Sequence, residues 1–138
     1  KGKRITAPDN LPVRPTTDRA KEALFSILDS RYYFDSKNIL DLFSGTGNIA
    51  FEFCSRGVEH STCVDNNNNC INFIKKTSSD LELNITSLQS DCIKYLEICE
   101  KQFNIIFADP PYNFSEHQKV KEIIFEKNLV KKDGCLII

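Results

Sequence analysis

"NILDLFSGTGNIAFEFCS", Asn38 to Ser55, decides the fold. Four of its first six residues are apolar, and the run reads as a strand buried on both faces. Ser44-Gly45-Thr46-Gly47 breaks that run. A helix follows from about Asn48 to Ser55 and is stopped by Gly57. The same strand-turn-helix unit recurs downstream. "HSTCVD" is a second strand ending at Asp65, with a helix from about Asn68 to Ser78 whose Cys70, Phe73, Ile74 and Thr77 share one face. "NITSLQ" is a third strand, followed by Ser90-Asp91 and a helix to about Cys99. "FNIIFA" is a fourth strand ending at Asp109, a helix spans roughly Glu116 to Glu126, and "GCLII" starts a fifth strand. Short apolar strands alternating with helices specify a parallel sheet covered on both sides. Right-handed crossovers make it a doubly wound, Rossmann-like α/β fold. Ligands in such folds bind beyond the carboxyl ends of the strands.

Upstream, Thr16 or Thr17 is placed to cap a helix running to about Asp29, with Ala20, Ala23, Leu24, Ile27 and Leu28 as its apolar stripe. Residues 1–16 contain Pro8, Pro12 and Pro15 without clear periodicity and read as an extended arm. Residues 1–17 are therefore expected to form a basic arm, and residues 18–138 one domain. Composition agrees: 138 residues with 41% apolar and 27% charged content suit a single soluble core. No apolar run approaches the ~20 residues of a membrane span. "KGKRITAPDN" lacks the apolar stretch of a signal peptide. The chain neither starts with Met nor contains one, which reads as a fragment or a trimmed product.

The six cysteines, Cys54, Cys63, Cys70, Cys92, Cys99 and Cys135, include no CxxC pair. They read as buried reduced thiols of a cytoplasmic protein rather than as a zinc site or disulfide framework. His60 and His117 are isolated and read as surface residues, and no metal is expected. Net charge is −1, unevenly spread. Residues 1–21 carry six bases against two acids (+4), and the remainder twelve against seventeen (−5). A basic arm on an acidic body points to a polyanion partner at that end.

Four acids follow or end the strands: Asp41 with the glycine turn, Asp65, Asp91 and Asp109. Together they are expected to line one rim. The Gly45-Thr46-Gly47 turn lets backbone N–H groups approach a ligand closely. Ala50 stands where a dinucleotide fingerprint has its third glycine, which the looser pattern allows. Asp65 follows at the distance usual for an acid that takes ribose hydroxyls. To this point a nicotinamide dinucleotide and an adenosine-type cofactor both fit. Asp109-Pro110-Pro111-Tyr112 separates them. A base's exocyclic amine is conjugated with its ring and is a poor nucleophile. A carboxylate and a backbone carbonyl that accept its two N–H bonds help to pyramidalise it. Prolines stiffen the turn that carries those acceptors. An aromatic residue beside them offers a face for an unstacked base.

These motifs resemble class I S-adenosylmethionine-dependent methyltransferases of the amino-methylating group, in "ADPPYN" and in "DLFSGTGNIA". "RPTTDRAKEALFSIL", Arg14 to Leu28, resembles the start of the RsmD-type 16S rRNA (guanine-N2)-methyltransferases, and the likeness extends from "KGKRI" to "GCLII". The resemblance implies that Asp41, Gly45 and Gly47 border the methionine and ribose end of S-adenosyl-L-methionine, with Phe43 also among the cofactor-binding residues. It places Asp65 on the ribose hydroxyls, Asn66 beside the adenine, and Asp91 with Cys92 at the adenine amine. Asp109, Pro110 and Tyr112 would hold the guanine, with Asp109 also bordering the cofactor. Thr16 and Thr17 would close the pocket, and Arg14, Arg19 and Lys21 would meet RNA. The partner implied is 16S rRNA or an assembling small ribosomal subunit, met by a monomer. Two departures stand out. Relatives usually show Glu where this chain has Asp65. The family's sheet has two further strands, an antiparallel hairpin, whereas Ile138 falls within the fifth strand. A DNA amino-methyltransferase shares the Asp-Pro-Pro-Tyr motif, and a non-catalytic cofactor- or RNA-binding domain is the alternative from another class.

Overall fold

The computed structural model describes residues 18–111 and 113–138. Its elements follow the order α1 (Asp18–Arg31), β1 (Asn38–Leu42), α2 (Asn48–Ser55), β2 (His60–Asp65), α3 (Asn68–Asp80), β3 (Ile85–Gln89), α4 (Cys92–Ile98), β4 (Phe103–Ala108), α5 (His117–Glu126) and β5 (Val130–Ile137). The five strands form one sheet in the order β3-β2-β1-β4-β5, with every pair parallel. The expected doubly wound arrangement is what the chain adopts. Strand order reverses between β1 and β4, which places the ligand crevice at their carboxyl ends.

The alternation of strand side chains divides the core in two. Ile39, Ile105 and Phe107 point to the face covered by Phe25 and Leu28 of α1 and Ile49 and Phe53 of α2. Cys63 joins Ala50, Phe51, Ile71 and Ile74 of α2 and α3 on that same face. Leu40, Leu42, Val64, Ile106 and Ala108 point the other way, onto Leu96 of α4 and Val120 and Ile124 of α5. Phe25, Phe34 and Phe53 meet edge to face, with centroids 4.7 to 6.4 Å apart. Arg56 covers Phe25 from outside at 4.7 Å and pairs with both Asp29 and Glu52, clamping α1 to the end of α2.

Strand five begins earlier than "GCLII" suggests. Val130 pairs with Phe103, and the ladder resumes only at Cys135 opposite Ile105. The residues between bulge out, with Asp133 at φ 65. Gly134 is required there, because a Cβ would lie 2.4 Å from the Asn104 carbonyl oxygen. The Tyr32 hydroxyl donates to the Asp133 carbonyl at 3.0 Å, so the end of α1 anchors the bulge. All six cysteines are free thiols; Cys63, Cys70, Cys92 and Cys99 are buried, Cys54 and Cys135 only partly. No helix among the described residues is long and apolar enough to cross a membrane.

Candidate cofactor and active site

Strand register decides which acids share the rim. Leu42 of β1 lies level with Val64 of β2 and Ala108 of β4, and Val64 with Leu88 of β3. The next residues on β1, β2 and β4 are Phe43, Asp65 and Asp109. Asp65 and Asp109 therefore stand at one height on either side of β1, as the sequence suggested. The other two acids do not share that height. Asp41 lies one step deeper than Leu42, level with Cys63 and Phe107. Asp91 lies beyond the end of β3 and is exposed. Each therefore has a different chemical setting.

Asp65 organises the rim. Its Oδ2 accepts from the Gly45 N–H at 2.8 Å and its Oδ1 from the Asn67 N–H at 2.9 Å. One carboxylate thus holds the glycine turn and the start of α3 together. Asn67 caps α3 by accepting from the Cys70 N–H at 2.9 Å. The turn itself is tight. The Ser44 N–H donates to the Val64 carbonyl at 3.1 Å and the Gly47 N–H to the Ser44 carbonyl at 2.8 Å. Gly47 has φ 85, and a Cβ there would lie 3.0 Å from both Ile74 and Phe51. Glycine is thus needed for conformation and for space. Asn66 is exposed, and its carbonyl accepts from Gln89 at 3.3 Å.

Asp91 works as a helix cap. Its Oδ2 accepts from the Lys94 N–H at 3.0 Å, and the residue is exposed. Cys92 is buried beneath the rim, 4.0 Å from the Val64 carbonyl. Burial pushes its thiol up to about 12, so it stays neutral.

Asp41 is 1% exposed, and its Oδ2 has no hydrogen-bond partner among the described residues. Burial raises its carboxyl well above the ordinary 3.8; the Ala50 N–H opposes the shift, while Asp65 and Asp109 add to it. An acid with a raised folded-state pKa contributes most below its unfolded value and loses that contribution as pH rises through the folded value. In the ligand-free protein, Asp41→Asn is therefore expected to flatten the fall in melting temperature on the alkaline side of 3.8, without lowering it at neutral pH. Parallel pH profiles of the two proteins that fail to diverge would contradict this.

Asp109 is exposed at the end of β4, and Pro110 and Pro111 follow it directly. The Phe114 N–H donates to the Pro111 carbonyl at 3.0 Å, closing the segment. Arg14, Thr16, Thr17 and Tyr112 lie outside the described residues. Arg19 is exposed near the start of α1. Lys21 is not an open cation: its Nζ donates to Asn48 Oδ1 at 3.1 Å and lies 3.7 Å from Glu52. It ties α1 to the first residue of α2, so any RNA contact it makes competes with that tie. Two features had no sequence signal. Phe43 adopts φ 56, and its ring meets Phe114 at 4.8 Å.

The whole chain, residues 1–138, matches the family model described as Conserved hypothetical protein 95. It is 33% identical to YlbH of Bacillus subtilis over 99% of this chain and 76% of that one. It is 30% identical to ribosomal RNA small subunit methyltransferase D of Buchnera aphidicola, over 100% of this chain and 70% of that one. The chain belongs to the RsmD-type methyltransferase family. Solved structures agree on the fold. A hypothetical protein of Thermus thermophilus superposes with a TM-score of 0.85 at 22% identity, over 99% of this chain and 78% of that one. HI0767 of Haemophilus influenzae superposes at 0.72 with 28% identity, over 83% and 73%.

Proposed function

We propose that this protein transfers a methyl group from S-adenosyl-L-methionine to the exocyclic N2 amine of a guanine in 16S rRNA. The observation that carries the reading is the common height of Asp65 and Asp109 on either side of the glycine turn, at the point where strand order reverses. A cofactor held by the first acid then lies beside a base held by the second. The name of the Buchnera relative, a ribosomal RNA small subunit methyltransferase, supports the substrate class.

The residues present fit the cofactor. A buried carboxylate oxygen without a partner among the described residues, Asp41 Oδ2, suits a cationic ligand. Asp65 suits the ribose hydroxyls, since each of its oxygens keeps acceptor capacity beyond its one backbone bond. Asn66, Asp91 and Cys92 would surround the adenine, Asp41, Phe43, Gly45 and Gly47 the methionine and ribose end, and Thr16 and Thr17 would close over it. When bound, the sulfonium supplies an activated methyl group. The work of the chain is placement. Asp109 and the Pro110 carbonyl accept from the guanine amine and turn its lone pair toward the methyl carbon, while Tyr112 stacks on the ring. The amine becomes acidic only once alkylated, so Asp109 need not be a strong base. Arg14 and Arg19 meet RNA phosphates. The protein works as a cytoplasmic monomer on naked 16S rRNA or on an assembling small subunit.

Transfer of labelled methyl groups to naked rRNA, free small subunits and duplex DNA tests the reading. Label recovered as N2-methylguanine from RNA is expected. Label in DNA only, or cofactor binding without transfer to any substrate, would overturn it. Neutralising Arg14 and Arg19 together is expected to weaken RNA binding and to make its dependence on salt less steep, by about one in the slope for each phosphate left unneutralised. An unchanged slope would show that neither residue meets a phosphate.

A further inference from the structure

We propose that Phe114 is a positioning residue that fastens the catalytic turn to the cofactor turn through Phe43. The proposal rests on the methyl-transfer reading above. Three observations carry it. The first is backbone: the Phe114 N–H donates to the Pro111 carbonyl at 3.0 Å, so the far end of the segment that begins at Asp109 is closed at this residue. The second is the ring pair. Phe114 and Phe43 meet edge to face, 4.8 Å between centroids at 67°. That is the favoured geometry for two aromatic quadrupoles. The third is the conformation of Phe43. It is the first residue past β1 and has φ 56, a left-handed backbone that bulky side chains rarely adopt. Strain of this kind is kept where the surroundings demand a particular direction. Here Phe43 leaves the sheet with its ring packed on Phe114, immediately before the Ser44–Gly47 turn.

The aromatic packing extends one ring further. Phe114 meets the His117 ring at 5.3 Å and 70°, at the first residue of α5. Both phenylalanines are partly buried against the core beneath α4 and α5. The end of β1, the segment after β4 and the start of α5 are thus joined by a row of three rings. Pro110 and Pro111 stiffen the segment near Asp109, and Phe114 fixes its other end. Methyl transfer needs the Asp109 side and the Gly45–Gly47 side in one fixed relation, because a small misplacement of reacting atoms is costly in rate. The Phe43–Phe114 pair supplies a direct side-chain link between them.

The test is single-turnover methyl transfer to 16S rRNA, with S-adenosylhomocysteine affinity and melting temperature measured on the same proteins. Phe114→Ala is expected to slow transfer about 10- to 10²-fold, and to change S-adenosylhomocysteine and RNA affinities less than about twofold. Phe114→Tyr keeps the ring and is expected to stay within about threefold of the parent rate. Phe43→Ala combined with Phe114→Ala is expected to be no slower than Phe43→Ala alone, because the two act as a unit. A Phe114→Ala protein that melts lower but transfers at the parent rate would show packing only and overturn the proposal. So would rate losses that multiply in the double variant. If the parent protein binds S-adenosylhomocysteine but methylates no RNA, the functional reading fails first and takes this inference with it.

Discussion

Asp109→Ala is expected to lower methyl transfer by about 10² to 10³, the loss seen when one preorganised polar contact is removed from a closed site. S-adenosylhomocysteine affinity should stay nearly intact. The separation follows from position. Asp109 stands on the β4 side of the rim, and the hydrogen bonds that shape the cofactor turn come from Asp65 on the β2 side. Asp109 is exposed and follows a strand whose buried residues, Ile105, Ile106, Phe107 and Ala108, carry the packing. Its removal should therefore cost little stability. Asp109→Asn should be milder than Asp109→Ala, because an amide oxygen still accepts one N–H bond from the target amine. Single-turnover transfer and calorimetry on the same preparations check this. A lowered melting temperature with unchanged turnover per folded molecule would reduce Asp-Pro-Pro to a stiff turn.

Asp65→Ala is expected to raise the dissociation constant for S-adenosylhomocysteine about 10- to 10²-fold, the equivalent of one charge-assisted hydrogen bond of about 1.5–3 kcal/mol. Beyond ribose contacts, the variant frees the Gly45 and Asn67 N–H groups that the two carboxylate oxygens hold at 2.8 and 2.9 Å. The glycine turn then loses its attachment to the start of α3. Asp65→Asn should be almost as damaging. Its amide can accept from one of the two N–H groups but turns an NH2 toward the other. A ligand lacking the ribose hydroxyls separates the two roles of Asp65. The parent protein should discriminate against it, and Asp65→Ala should not. Equal discrimination by both would leave Asp65 as a brace for the turn and remove it from the ribose.

The elements were legible because their signals are local. Apolar runs of strand length, the glycines after β1 and the periodic face of α3 depend on residues within a few positions of one another. The stripe expected on α1 is displaced: Ala20, Ala23 and Ile27 are exposed, and Phe25 with Leu28 carries the packing, because the placement of α2 and β4 selects the buried face. The sequence alone therefore determined a doubly wound sheet, nearly all element boundaries, and Asp65 and Asp109 as acids at strand ends. It misplaced the start of β5, since the bulge before Cys135 is held against Asn104 and Tyr32, which lie in distant parts of the chain and leave no local signal.

The heights of the acids were decided by tertiary structure. Asp41 and Asp65 both look like rim residues in one dimension. Hydrogen-bonded register between β1, β2 and β4 sinks Asp41 one level into the sheet, beneath a covering helix, and burial makes its charge costly. Lys21 reads as one more base of the arm until α1 packs on α2 and brings Asn48 and Glu52 to its ammonium. The Phe43–Phe114 pair joins residues on two adjacent strands' outgoing loops, and no local pattern encodes such a meeting. Side-chain chemistry is written in the sequence. Which of those side chains face each other is set by strand order and register, which depend on contacts between segments far apart in the chain.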